Sequence, residues 1–141
     1  MRIGIVGAGA IGTLFGYKLA VQNDVTLFEI RRDIVDAVNR DGLRLDDGEP
    51  RAVKASADAR DLYNVDALFV FVRATDTLRA LRPFAGKLNP SSAVVSLQNG
   101  VGNEEAIKTA LGGHLALVLG ATTESSLVLG PGRARAVGTG Q

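Results

Sequence analysis

Arg2-Ile3-Gly4-Ile5-Val6-Gly7-Ala8-Gly9-Ala10-Ile11-Gly12 stands at the head of the chain and decides its fold. Arg2 to Val6 has the apolar, β-branched character of a short buried strand. Gly7, Gly9 and Gly12 follow at G-x-G-x-x-G spacing, and Leu14, Phe15, Tyr17, Leu19 and Ala20 then carry a helical pattern. Strand, glycine turn and helix in that order form the phosphate-binding corner of a dinucleotide-binding domain. Gly7 allows the tight turn, Gly9 lets backbone approach a pyrophosphate, and Gly12 lets the helix pack close to the sheet. Ala8, Ala10 and Ile11 complete the loop, whose N–H groups at the helix start would face the diphosphate. The same glycine spacing occurs in turns that hold no ligand; the strand before it and the helix after it single this one out.

The rest of the chain repeats the alternation. Asp24 to Glu29 reads as a second strand ending on an acid, and Arg32 to Asn39 as a helix with Ile34, Val35 and Val38 on one face and Gly42 as its stop. Leu43 to Leu45 and Ala52 to Lys54 flank the turn-rich Asp46-Asp47-Gly48-Glu49-Pro50, which predicts a small hairpin. Ala67 to Val72 is a continuous apolar run, the mark of a strand buried on both faces. A helix from Thr77 to Leu88 is interrupted near Pro83. Ala93 to Leu97 and Leu115 to Leu119 read as further strands, with a helix between them from Asn103, as its cap, to Leu111. Ser125 to Leu129 and Arg133 to Val137 read as two strands around Gly130-Pro131-Gly132. The expected fold is α/β: a Rossmann-type doubly wound, mainly parallel sheet over residues 1–141. A second core is not legible after it, so the expectation is a fragment or isolated domain whose catalytic partner domain lies elsewhere.

Composition narrows the function. With 46% hydrophobic and 22% charged residues the chain reads as a globular protein, and a net charge of +1 gives no electrostatic case for nucleic acid or a membrane surface. No apolar run is long enough to span a bilayer, and the first residues lack the layout of a secretion signal. Cys is absent and His114 is the only His, so neither thiolate chemistry nor a Cys or multi-His metal site is available within the chain. A cytoplasmic location is the simplest reading.

The ligand crevice of such a sheet lies beyond the carboxyl ends of its strands. Glu29, closing the second strand, suits the hydroxyls of an adenosine ribose and so NAD. Arg31 and Arg32 follow and suit a 2′-phosphate and so NADP, or else open a solvated helix. Arg73 ends the third apolar strand as an anchor for a carboxylate or phosphate, or as a surface partner of Asp76. Asn99, leaving a strand in Leu97-Gln98-Asn99-Gly100-Val101-Gly102, stands at the crevice mouth with both donor and acceptor capacity, or serves only an Asn-Gly turn. Glu104 and Glu105 read as helix-start charges. The hydroxyl-rich Thr122 to Ser126 suits a loop touching a cofactor, and His114 falls on the side away from the crevice.

These stretches are similar to the N-terminal domain of the ketopantoate reductase (2-dehydropantoate 2-reductase) family. The likeness rests on Gly7 to Gly12, on Gly42-Leu43-Arg44-Leu45, on the more specific Leu97 to Gly102, and on Gly120-Ala121-Thr122-Thr123 with the later Pro131-Gly132. It implies reduction of the 2-keto group of ketopantoate by NADPH, on the route to pantothenate and coenzyme A. It also implies that Gly7 to Gly12 hold the diphosphate, that Asn99 sits at the nicotinamide and substrate end, and that Ser126 contacts the cofactor. The family closes its second strand with a single Arg, about one place earlier than Arg31 and Arg32 here, so NADP and NAD both stay open. A family Lys is replaced by Arg73, which keeps charge but changes geometry at a cofactor and substrate contact. The family's catalytic Lys would lie beyond Gln141, so no catalytic residue is expected within this chain, and a homodimer of the full-length protein is the implied assembly. The competing readings are a regulatory dinucleotide-sensing module, which would lack the Leu97 to Gly102 stretch, and a reductase paralogue acting on another 2-keto acid.

Overall fold

A computed structural model describes residues 1–138. The chain runs β1 (Arg2–Val6), α1 (Ala10–Leu19), β2 (Asp24–Phe28), α2 (Arg32–Asp41), β3 (Arg44–Leu45), β4 (Lys54–Ser56), β5 (Ala67–Val70), α3 (Thr77–Leu81), β6 (Ala93–Ser96), α4 (Asn103–Leu111), β7 (Ala116–Leu119), β8 (Ser126–Gly130) and β9 (Arg133–Ala136), with short 3-10 turns around α3 and before β5. Six strands form one parallel sheet in the order β4-β2-β1-β5-β6-β7. Order grows outward in both directions from the β1/β5 pair, so the sheet's switch point lies where β1 runs into the glycine loop. The architecture is Rossmann-like α/β, as the alternation predicts.

Hydrophobic burial follows the strand pattern. Ile5, Leu27, Leu68 and Val70 are all but inaccessible, as both faces of a helix-covered parallel sheet require. One core cluster joins Ile5, Leu14, Leu27, Val38 and Leu43 under α1 and α2; the other joins Val6, Leu68, Leu81, Phe84 and Ile107 under α3 and α4. Ile34, Val35 and Val38 form the buried face of α2, which ends at Gly42 as expected. The helix expected from Thr77 to Leu88 is shorter: α3 stops at Leu81, Pro83 follows in a 3-10 turn, Arg82–Phe84, where its ring removes a backbone donor, and Gly86 at φ +66° keeps residues 85–88 out of a helix.

Two further local expectations are corrected. Residues 43–54 do not form a free hairpin: only the Leu43/Arg51 bridge joins its arms. β3 pairs in parallel with β9, while β4 becomes the edge of the main sheet beside β2. Long-range pairing captured both arms. The intervening loop is held to α1 instead, by Tyr17 Oη donating to the Glu49 carbonyl at 2.9 Å and by the Arg51 guanidinium 3.8 Å over the Tyr17 ring. Asn103 is not the cap of α4 but its first residue; Gly102, at φ +86°, precedes it. Its Nδ2 reaches back to the carbonyls of Gln98, Asn99 and Gly100, so it braces the loop rather than the helix.

β8 and β9 pair antiparallel, with a register irregularity between Val128 and Gly130, and with β3 make a small second sheet. Among the described residues no helix is long and apolar enough to cross a membrane.

Candidate functional site

The glycine loop separates three steric tasks. Gly7 adopts φ +100°, and a Cβ there would press on the Phe71 carbonyl at 2.9 Å. Gly12 is the tightest: a Cβ would stand 1.9 Å from the Gly7 carbonyl oxygen. The close approach expected of Gly12 is therefore to the loop itself more than to the sheet. A Cβ on Gly9, by contrast, would meet nothing within 4 Å. Gly9 precedes α1, and helix geometry leaves the N–H groups of Ala10, Ile11 and Gly12 without carbonyl partners inside the helix, the first such bond being Thr13 N–H to Gly9 O at 2.9 Å. Open space beside unshielded donors is what a diphosphate needs, so the loop fits that group.

A cavity lies on each side of the loop. One, of about 300 Å³, is lined by Gly7, Phe28, Glu29, Ile30, Val72 and Arg79 among others. The second, of about 480 Å³, is lined by Gly9, Ala10, Ile11, Val72, Arg73, Gln98, Asn99, Thr122 and Glu124 among others. Val72 is common to both. A wider groove of about 800 Å³, lined by Arg32, Asp36, Asn39, Ser56 and Arg60 among others, shares Pro83 with the first cavity and lies past the carboxyl end of the edge strand β4.

The structure sorts the expected site residues. Gly9, Ala10, Ile11, Arg73 and Asn99 share the second cavity, Gly7 and Glu29 the first. Ala8 joins the site through its N–H, which donates to Glu29 Oε2 at 3.2 Å. Glu29 Oε1 accepts from the Arg31 N–H at 3.0 Å. The guanidinium of Arg31 pairs with Asp33 at 3.0 Å, both well exposed, and Arg32 lines the outer groove. Arg73 stands at the cavity rim and pairs with Asp76 at 3.2 Å, the surface pairing weighed above. Ser126 lies on β8, apart from the residues lining either cavity, with its Oγ enclosed and unpartnered among the described residues. Glu104 pairs with Lys108 one turn on, as a helix-start charge would. His114 is exposed and outside both cavities. Among the described residues no cluster of three or more His, Cys, Asp or Glu could hold a metal ion.

Gln98 is the site residue that sequence reading passed over. Its Nε2 donates to the Val72 carbonyl at 2.6 Å and to Thr77 Oγ1 at 2.8 Å, and its Oε1 accepts from Ser96 Oγ at 2.9 Å. It thus ties the ends of β5 and β6 to the start of α3. The available signal was its place between a buried strand and the Asn99-Gly100 turn, where a long amide has backbone from two strand ends within reach.

Comparisons with known proteins agree with this geometry. Residues 3–141 match the family model described as "Ketopantoate reductase PanE/ApbA". The 2-dehydropantoate 2-reductase of Pyrococcus abyssi (strain GE5 / Orsay) is 36% identical over 141 residues, covering 99% of this chain and 46% of that protein. The enzyme of the same name from Streptococcus pyogenes serotype M1 is 29% identical over 143 residues, with the same coverage. Among solved structures, a PanE/ApbA family ketopantoate reductase from Ralstonia eutropha JMP134 superposes with a TM-score of 0.89 at 32% identity, over 98% of this chain and 47% of that one. A D-mandelate dehydrogenase solved with NADH gives 0.85 at 26% identity, over 99% and 45%. The chain spans about half the length of the curated relatives it matches.

Proposed function

The chain belongs to the ketopantoate reductase PanE/ApbA family, and on that footing we propose that it is the NAD(P)H-binding domain, residues 1–141, of an oxidoreductase that reduces a 2-keto acid, with 2-dehydropantoate as the expected substrate. The observation that carries the reading is the glycine loop, open at Gly9, with one cavity on either side of it. Gly7 to Gly12 would hold the diphosphate, the cavity beside Glu29 the adenosine end, and the cavity beside Asn99 the nicotinamide end. The reduced nicotinamide supplies the hydride that a keto carbon accepts.

The chain's own residues bind and orient. Asn99 can donate to or accept from the reacting end, and Arg73 offers a permanent cation to the carboxylate of a 2-keto acid. Neither side chain is a proton donor near neutral pH, so the general acid is assigned to the family's Lys, in the half of the relatives that this chain does not span. The family pattern favours NADPH, whereas Glu29 favours NADH. The pantothenate and coenzyme A route, a homodimer of the longer protein and a cytoplasmic setting belong to the same reading and rest on the resemblance alone. A second substrate reading, another 2-keto acid, is favoured by the likeness to D-mandelate dehydrogenase and by Arg73 at the cavity rim.

The test is a titration with reduced nicotinamide cofactor followed by its fluorescence. Saturable binding is expected, and it should vanish in Gly9→Val, whose side chain fills the space left for the pyrophosphate. Activity on 2-dehydropantoate against a panel of 2-keto acids, measured with the longer protein, then ranks the two substrate readings.

A further inference from the structure

Glu29 is fixed at both its backbone and its carboxylate. Its N–H donates to the Ser56 carbonyl at 3.0 Å, which locks its place at the end of β2 against the edge strand. Each carboxylate oxygen accepts one backbone N–H, Oε2 from Ala8 at 3.2 Å and Oε1 from Arg31 at 3.0 Å. A carboxylate offers about four acceptor sites. Each oxygen therefore keeps one more, a pair suited to the two vicinal hydroxyls of a ribose.

The charges around Glu29 repel a phosphate. Its cavity is lined by two carboxylates, Glu29 and Asp76, and by one guanidinium, Arg79, a net of one negative charge. Arg79 is already paired with Asp76 at 2.9 Å. Arg31 sends its backbone toward Glu29 but its guanidinium to Asp33, and Arg32 lines the groove beyond Pro83. A phosphate monoester carries about −1.5 to −2 at neutral pH. Placed on the ribose it would stand beside Glu29, facing no uncommitted cation among the residues that line this cavity.

We infer that this chain selects NADH over NADPH, and that Glu29 is the discriminating residue through its hold on the adenosine ribose hydroxyls. The inference rests on the reading of the crevice as a nicotinamide dinucleotide site. It departs from the cofactor that the family pattern favours.

The experiment is a pair of fluorescence titrations of the 141-residue chain, one with NADH and one with NADPH, repeated with Glu29→Gln and Arg32→Ala, each variant's fold being checked by circular dichroism melting. NADH should bind at least about tenfold tighter than NADPH. Glu29→Gln, nearly isosteric, should narrow that gap by roughly tenfold or more, chiefly by weakening NADH. Arg32→Ala should leave the ratio unchanged. Tighter NADPH binding by the unaltered chain, or a ratio that follows Arg32 and ignores Glu29, overturns the inference and leaves the dinucleotide reading intact. Binding of neither cofactor by a folded chain overturns both. Competition by ADP-ribose against its 2′-phosphorylated form repeats the comparison without the nicotinamide and should give the same preference.

Discussion

Gln98 Nε2 lies 2.6 Å from the Val72 carbonyl oxygen, and this bond joins the two strand ends that form the walls of the cavity lined by Arg73 and Asn99. Removing it strips the short partners from Thr77, which is inaccessible, and Ser96, which is nearly so, leaving Thr77 Oγ1 a 3.4 Å bond to the Arg73 carbonyl and Ser96 Oγ a 3.4 Å bond from the Gln98 backbone N–H. Gln98→Leu should therefore lower stability by about 1–3 kcal/mol, the range for stranding buried hydrogen-bonding groups. The urea midpoint should fall with no change in slope. Since Val72 also lines the cavity beside Glu29, affinity for reduced cofactor should drop with it. An unchanged midpoint would show that the amide is dispensable.

The glycines should separate stability from binding. Gly12→Ala sets a methyl 1.9 Å from the Gly7 carbonyl oxygen. Backbone must shift, and the loss should be at least about 1–3 kcal/mol, the usual range for overpacking. Gly9→Ala meets nothing within 4 Å, and φ −78° suits an L-residue. It should melt within a few degrees of the unaltered chain, yet bind reduced cofactor more weakly. Equal melting of the two variants would contradict the assignment of the close approach to Gly12.

Acid should weaken the fold in a definite window. The Arg60 guanidinium beside Asp58 donates at 2.6 Å and, with the Arg60 backbone N–H, pulls the Asp58 carboxyl from 3.8 to about 2. Asp61 is lowered mainly by the Ser56 hydroxyl, Asp66 by the Arg2 N–H and Asp41 by the Arg40 guanidinium. A carboxyl with a depressed folded-state pKa contributes fully above its unfolded value of about 4, and the contribution is lost as pH falls through the folded value. Urea midpoints should thus decline from about pH 5 downward, and Asp58→Asn should flatten the part of the decline between about pH 4 and about pH 2. A slope identical to that of the unaltered chain in that interval would remove Asp58 from the account.

Arg73 should matter to substrate and hardly to the fold. Its side chain is 87% exposed and its pairing with Asp76 is a surface one. Arg73→Ala should change stability by less than about 0.5 kcal/mol. In the longer protein it should raise KM for the 2-keto acid severalfold with cofactor affinity unaltered. An unaltered KM would leave Arg73 as a surface ion pair and no more.

The parallel core, its edge strand β4 apart, was legible because those strands announced themselves by their own composition. Ile3 to Val6 and Ala67 to Val70 are apolar runs that fit only a sheet covered on both faces. Boundaries set by one residue's conformation were legible too, as at Gly42 and Pro83. What sequence reading missed depends on distant partners. Leu43 to Leu45 was read with its neighbour in the chain but pairs with β9, some ninety positions on, by about that much separation. Asn103 was read as a cap from its type, whereas its amide turns back to three loop carbonyls. Gln98 gave no local sign of reaching Val72 and Thr77. In the crevice, Glu29 was legible as an acid at a strand end; its grip on Ala8 was not, because that depends on how closely β1 and β2 finish together.

That grip makes Glu29 a strut of the very loop that either cofactor would use. A basic or small residue at this position would not simply admit a phosphate; it would also release the amides of Ala8 and Arg31. Preference and rigidity are thereby bound into one side chain. A lineage drifting from one redox pool to the other would first have to acquire some other brace for the turn, so the order in which substitutions accumulate is constrained by a pair of hydrogen bonds.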